Sequence, residues 1–233
     1  MPIIAGADGC PAGWIVIEED TTSHEIESRV TARIEDVFAN GRDVAVLAID
    51  IPIGLTESGA RQCDLLARRQ LGPRASSVFP APIRPALASE SYEEASRVSH
   101  ERQGKGISKQ SFMIFPKVRS VDVALRADAT LRERVFEVHP EVCFQAWNGG
   151  VPMLHAKKTF TGARDRSDLV RSVFGDVFDR IRAQHRRPAV SDDDILDAIA
   201  ALWTARRIVS RASRTLPDIV PLDSAGLPMR MVY

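Results

Sequence analysis

The feature that most constrains this chain is an uninterrupted apolar run, Val44-Ala45-Val46-Leu47-Ala48-Ile49, which ends on Asp50 and is stopped by Pro52 and Gly54. A strand of that length with no alternating polar face suits burial on both sides. Helices must then cover it above and below, which makes the expected class α/β.

The segments before it fit the same layer. Residues 3 to 8 are apolar and end on Asp8, Gly9-Cys10-Pro11-Ala12-Gly13 has turn chemistry, and Trp14 to Ile17 is apolar again. This predicts a hairpin with a five-residue connection. A third strand is expected near Glu25 to Val30, and a short helix over Ala32 to Ala39 with Ile34, Val37 and Phe38 on one face. The order strand, strand, strand, helix, strand implies an antiparallel meander followed by a crossover to a parallel fourth strand.

Residues 55 to 130 break this rhythm with Pro73, Pro80, Pro82, Pro85 and the polar stretch Glu101 to Gln110. They read as a largely helical insertion, with helices expected over Arg61 to Arg69 and 117 to 127. A fifth strand is expected at Arg134 to His139, ended by Pro140. Then come a Gly- and Lys-rich loop from Gly149 to Gly162 and a helix over Arg166 to Phe178. The clearest helix starts at Ser191, where Ser191-Asp192-Asp193-Asp194 caps a run with Ile195, Leu196, Ile199, Leu202 and Trp203 in helical period to about Ser210. Ile219-Val220-Pro221 is expected as a short edge strand.

The 233 residues accommodate one α/β domain with an insertion at about 55–130. No apolar run is long enough to span a bilayer, and the first residues lack the pattern of a signal peptide. Cys10, Cys63 and Cys143 lie far apart, which favours a reduced, cytoplasmic setting over a disulfide framework. Lys plus Arg equal Asp plus Glu at 31 each, so any phosphate partner must be met by a local patch and not by a basic body. No membrane partner is expected. The oligomeric state is left open, a homodimer being one option.

The chemistry lies in the acids. Asp8 ends the first strand and Asp50 the fourth, so in the expected topology both emerge at one edge of the sheet. The long helix carries Asp194 and Asp197 on one face at i, i+3 spacing. Asp197 lies a turn inside the helix between Leu196 and Ala198, where aspartate has poor propensity. Converging carboxylates repel unless a cation joins them, and oxygen-only ligation suits Mg2+ or Mn2+. Asp8, Asp50, Asp194 and Asp197 are therefore the expected metal ligands. Asp8, Asp50, Glu137 and Asp197 are the expected catalytic acids. Each has a plainer reading: Asp8 can shape the hairpin, Asp50 can cap a turn, and Asp192 and Asp193 suit a helix N-terminus.

Strand alternation places Glu137 and His139 on one face, with Glu141 next in phase. Lys117, Lys157, Lys158 and Arg164 lie in or near Gly- and Pro-rich loops, and of these Lys117, Lys158 and Arg164, with His139, are the expected substrate-binding residues. The Arg-rich stretches 180–187 and 206–214 read as solvated helix faces. A thiol nucleophile at Cys143 beside His139 lacks the rest of such an arrangement.

Taken in order, Gly6-Ala7-Asp8-Gly9-Cys10-Pro11-Ala12-Gly13-Trp14, Ile49-Asp50-Ile51-Pro52-Ile53-Gly54, Arg61-Gln62-Cys63-Asp64, Ser76-Ser77-Val78-Phe79, Phe115-Pro116-Lys117, Glu137-Val138-His139-Pro140-Glu141 and Asp193-Asp194-Ile195-Leu196-Asp197-Ala198 resemble a bacterial and archaeal family known as domain of unknown function 429. That family is described as predicted ribonuclease H-like nucleases. The resemblance runs from the N-terminus to the long helix. It implies a single ribonuclease H-like domain over 1–233 with the insertion at about 55–130, and a metal-dependent nuclease or phosphodiesterase acting on nucleic acid or a small phosphoester. The family tends to carry an acid shortly after the Pro-Lys motif, where this chain has Arg119-Ser120 before Asp122. The Asp194/Asp197 pair is similar to the acid pair that opens the last helix of Holliday-junction resolvases. Two other functions share such a core: a small-molecule phosphotransferase or ATPase-like protein, and a non-catalytic binding scaffold.

Overall fold

A computed structural model describes residues 2–38 and 44–233. The elements run β1 (Ile3–Cys10), β2 (Gly13–Asp20), β3 (Ile26–Thr31), α1 (Ile34–Phe38), β4 (Val44–Ile49), α2 (Gln62–Leu71), α3 (Arg84–Leu87), α4 (Tyr92–Gln103), α5 (Lys109–Met113), α6 (Phe115–Ala127), α7 (Ala129–Arg134), β5 (Val135–Glu137), α8 (Pro140–Trp147), α9 (Phe160–Phe174), α10 (Val177–Gln184), α11 (Asp192–Val209), β6 (Thr215–Leu216) and β7 (Met231–Val232). The expected end of the first helix at Ala39 lies outside the described residues.

Five strands form a mixed sheet in the order β3-β2-β1-β4-β5. β1, β2 and β3 are an antiparallel meander, and β4 and β5 run parallel to β1. This is the α/β, ribonuclease H-like arrangement of the sequence reading.

The first hairpin is tighter than expected. Strand pairing continues through Gly9↔Trp14 to Cys10↔Gly13, which leaves Pro11-Ala12 as a two-residue turn in place of a five-residue connection. Gly13 has φ 127°, and a Cβ there would lie 2.2 Å from the Thr31 carbonyl oxygen.

The sheet is buried on both faces, as the β4 run demands. Alternation sends Ile4, Cys10, Ile15, Ile17, Val46 and Ala48 to one face, where α8 to α11 pack. Ala5, Ala7, Trp14, Val16, Leu47 and Ile49 go to the other, under α1, α3, α4 and α6. Most helices of the 55–130 segment thus lie against this second face, while α2 packs on α8 and on the small β6-β7 sheet. Among the described residues no helix is long and apolar enough to cross a membrane.

Three further expectations need correction. The helix foreseen over Arg166 to Phe178 is two helices. α9 starts earlier, where the Thr159 hydroxyl accepts from the Gly162 N–H, and it stops at Gly175, whose φ of 60° suits glycine. The edge strand foreseen at Ile219 is absent. Ile219 is exposed, and the C-terminal pairing is Thr215↔Val232 and Leu216↔Met231. The Arg-rich stretches are not simply solvated: Arg182 binds the Val190 carbonyl and Asp192, and Arg206 binds the buried Glu19 at 2.5 Å.

The strongest packing constraint is at Gly6. α11 crosses β1 so closely that a Cβ on Gly6 would lie 2.2 Å from the Leu202 N and 2.3 Å from the Ala198 carbonyl oxygen. Both are backbone atoms, so only a shift of the helix relieves the clash. Gly6→Ala is expected to cost about 3 kcal/mol. Thermal unfolding should show the midpoint falling by roughly 6–12 °C. An unchanged midpoint would mean that α11 sits on β1 more loosely than described.

Candidate metal centre

Asp8 and Asp50 occupy adjacent parallel strands. Ala7 pairs with Ile49, and the Asp50 N–H continues the ladder by donating to the Ala7 carbonyl at 3.0 Å. Asp8 lies two residues beyond Gly6, and Asp50 two beyond Ala48, so both fall in phase with the residues facing α11. Asp197 comes from the second turn of α11, one residue before the Ala198 carbonyl that seats on Gly6. Asp8, Asp50 and Asp197 each offer an oxygen within 4.8 Å of the other two.

Asp8 and Asp197 are buried, and Asp50 keeps some solvent contact. Asp8 Oδ1 accepts from the Gly9 N–H at 2.6 Å. Asp197 is only 1 % exposed, and its Oδ1 has no hydrogen-bond partner. An unpartnered buried carboxylate oxygen is costly unless something positive meets it.

Asp194, expected as a ligand, does not join the three. Its carboxylate accepts from the Ser191 N–H at 2.7 Å, and its own N–H donates to the Ser191 hydroxyl at 3.2 Å, a capping box. Its charge still reaches Asp8.

Glu137 is a clearer correction. In β5 it pairs with Ile49, on the sheet face opposite to Asp8 and Asp50. Both its oxygens accept from the buried Arg61 guanidinium at 2.6 Å, and Oε2 also accepts from the Ile53 N–H at 2.6 Å. Arg61 in turn holds Asp64. Glu137 therefore braces the turn after Asp50 from behind. The chain leaves β5 at Glu137, so strand alternation does not carry on to His139, the residue preceding α8.

His139 does come near the acids. Its Nε2 lies 3.2 Å from the Ser77 carbonyl oxygen, and its buried Nδ1 has no partner. Burial pushes its pKa below the ordinary histidine value, while Glu141 and Asp197 pull the other way. Glu141 itself is buried and bidentately paired with Arg166.

The basic residues divide. Lys117 lies across Gly9 and over the Trp14 ring, with Nζ 3.3 Å from the Cys10 carbonyl oxygen, beside the strand end that carries Asp8. Lys158 is exposed, and Arg164 is exposed and 3.7 Å from Asp168 along α9. The cation that reaches the acids is Lys157, whose ammonium is ion-paired with Asp197. The sequence reading named Lys157 among the loop's basic residues but not among the expected substrate-binding residues, and did not place it at the acids.

Asp122 after the Pro-Lys motif is buried against Arg84, which also binds Asp223. Cys143 is buried and held in its thiol form. Burial pushes its pKa up to about 12, and the Thr204 hydroxyl donates to its sulfur.

The electrostatics match the geometry. Burial pushes the Asp8 carboxyl well above its usual range, and the Asp50 and Asp197 charges add to the effect. Asp50 and Asp197 are each pushed up to about 6, chiefly by burial, against the pull of Lys157. For Lys157 burial works against the charge, but Asp197, Asp8 and Asp50 outweigh it and hold the ammonium protonated well above the ordinary lysine value.

Carboxyls whose pKa is raised on folding bind protons more tightly in the native state. Without metal their contribution to stability is full below about pH 4 and is lost as pH rises through about 6. Asp8→Asn removes one of the repelling charges while keeping an oxygen for the Gly9 N–H. In chelator-treated protein the variant should melt together with wild type near pH 4 and roughly 3–8 °C above it at pH 8. A variant less stable than wild type at pH 8 would contradict this reading of the cluster.

The family described as Protein of unknown function (DUF429) matches residues 6–221. No curated protein and no solved structure matches the chain. The matched span begins at Gly6, includes all three acids and Lys157, and ends beyond α11, so the chain belongs to the DUF429 family.

Proposed function

We propose that Asp8, Asp50 and Asp197 hold a divalent cation, Mg2+ or Mn2+, and that the protein is a metal-dependent hydrolase of phosphodiester bonds in nucleic acid or a small phosphoester. The observation that carries this reading is the convergence of three carboxylates with one buried oxygen left unpartnered.

The residues fit such an ion. The donor set is oxygen only, which suits hard cations over zinc or copper. Oxygens bound about 2.1–2.4 Å from one ion lie up to roughly 4–5 Å from each other, in keeping with the observed cluster limit of 4.8 Å. When bound, such an ion lowers the pKa of a coordinated water and offsets the charge developing on a phosphate.

The chain's own residues supply the rest. The exposed side of Asp50 leaves the cluster open to a substrate. Lys157 on Asp197 and Lys117 beside the strand end of Asp8 supply positive charge for phosphate oxygens, the local patch a neutral protein needs, and exposed Lys158 and Arg164 would extend it along the substrate. A substrate group that reached the buried, unpartnered Nδ1 of His139 would find a hydrogen-bond acceptor there, since Nε2 faces the Ser77 carbonyl. The three unpaired, buried cysteines are in keeping with a reducing, cytoplasmic setting.

Mn2+ at about 100 times its dissociation constant should stabilise wild type by about 2.7 kcal/mol. That corresponds to a melting shift of roughly 5–10 °C. Asp8→Asn should show no such shift and should lose Mn2+-dependent cleavage across a panel of DNA, RNA and a chromogenic phosphodiester. Equal metal-induced stabilisation of both proteins would sink the assignment. Metal binding with no cleavage of any panel member would leave the metal site and remove the hydrolase.

A further inference from the structure

Accepting the three acids as a divalent-cation site, we propose that it takes one metal ion per chain and that the Lys157 ammonium stands where a second ion would sit. The inference rests on the metal-site reading above and adds the number of ions and the residue that fixes it.

The first ground is position. Lys157 enters from the loop between α8 and α9, its side chain 36 % exposed, and its Nζ is ion-paired with Asp197 Oδ2. Asp8 and Asp50 feel the same charge. This placement is built into the fold. Arg166, locked on Glu141, donates from Nη1 to the His155 carbonyl at 3.1 Å and to the Gly162 carbonyl at 2.7 Å. The Ala156 carbonyl accepts from the Thr159 N–H and hydroxyl, and it packs so closely on Gly162 that a Cβ there would lie 2.0 Å from it. The residues on either side of Lys157 are thus held by named contacts.

The second ground is ligand supply. Two ions about 3.5–4 Å apart need carboxylate oxygens for both, usually with one carboxylate bridging them. Asp197 is the most buried of the three acids, and Lys157 takes its Oδ2, which leaves only Oδ1. The other carboxylates that act on the three are engaged: Glu141 is held bidentately by Arg166, and Asp194 is held in its capping box with Ser191.

The third ground is charge. Glu141 is neutralised by Arg166, and Glu137, shared with Asp64 on Arg61, lies on the other face of the sheet. Among the groups that meet at the cluster, three ionised aspartates and one ammonium leave two negative charges, which a single divalent ion balances; Asp194, in its capping box, adds a negative charge outside them. A second ion beside the ammonium would make the buried cluster net positive. A lysine ammonium also brings to a substrate phosphate the positive charge that the second ion of a two-ion site would bring.

The test counts ions. Native mass spectrometry and an electron paramagnetic resonance titration should find one Mn2+ per chain at saturation in wild type. Lys157→Met should raise the count to two, and Lys157→Arg should keep it at one. If Lys157→Met fails to fold, Lys157→Ala removes both the charge and the contact to Asp197 Oδ2 and should also take two. Two ions in wild type, or one in every folded uncharged variant, would overturn the proposal while leaving the metal site. No ion in wild type would overturn both.

Discussion

The contact between α11 and β1 at Gly6 sets the position of everything at the site. A strand and a helix normally meet through side chains, but here the Ala198 carbonyl and the Leu202 N sit where a Cβ would be. The helix can come that close because the residues it lays on the sheet include Ala198, Ala201 and Ala205, and because β1 offers no side chain at Gly6. The result is geometric. Asp197 on the helix and Asp8 on the strand are each within two residues of the crossing point, so the approach of two backbones becomes the approach of two carboxylates. Asp50 is added by the parallel pairing of β4 with β1, which fixes its height along the sheet.

Around this point the protein spends buried charge on position. Arg61 with Glu137 and Asp64 holds the turn after Asp50, and Arg166 with Glu141 holds the loop of Lys157. Arg84 with Asp122 and Asp223 ties α3 and α6 to the C-terminal loop, where Asp223 also accepts from the Leu55 N–H. Buried pairs of this kind contribute little net stability against apolar residues of the same size, yet removing one partner costs about 3–5 kcal/mol. Their use here is to fix loops that no strand or helix holds. The three site aspartates are the opposite case. Lys157 is the one basic side chain ion-paired with them among the described residues, and it leaves Asp197 Oδ1 unmet.

Much of this was legible in the sequence, and what was not has identifiable causes. Asp8 and Asp50 could be read because each ends a long apolar run, and the strand, strand, strand, helix, strand order makes those runs parallel neighbours. Asp197 could be read because an aspartate inside an apolar helix is expensive. Glu137 misled because β5 is only three residues long, and its face is decided by a pairing with Ile49 that the local sequence does not encode. Asp194 misled because the i, i+3 spacing that puts it near Asp197 also suits a capping box with Ser191. Lys157 was one basic residue among several. What selects it over Lys158 is the Arg166–Glu141 pair, formed across 25 residues of chain, and Arg166, set among Asp165, Ser167 and Asp168, does not look buried from its neighbours in the sequence.

Whether Asp8, Asp50 and Asp197 hold a metal ion is decided by a crystal of the full chain soaked in Mn2+, with an anomalous difference map collected at the manganese edge. One strong peak is expected, bonded to an oxygen from each of the three aspartates. A map with no peak there, or with its manganese bound only to surface carboxylates, would contradict the metal site.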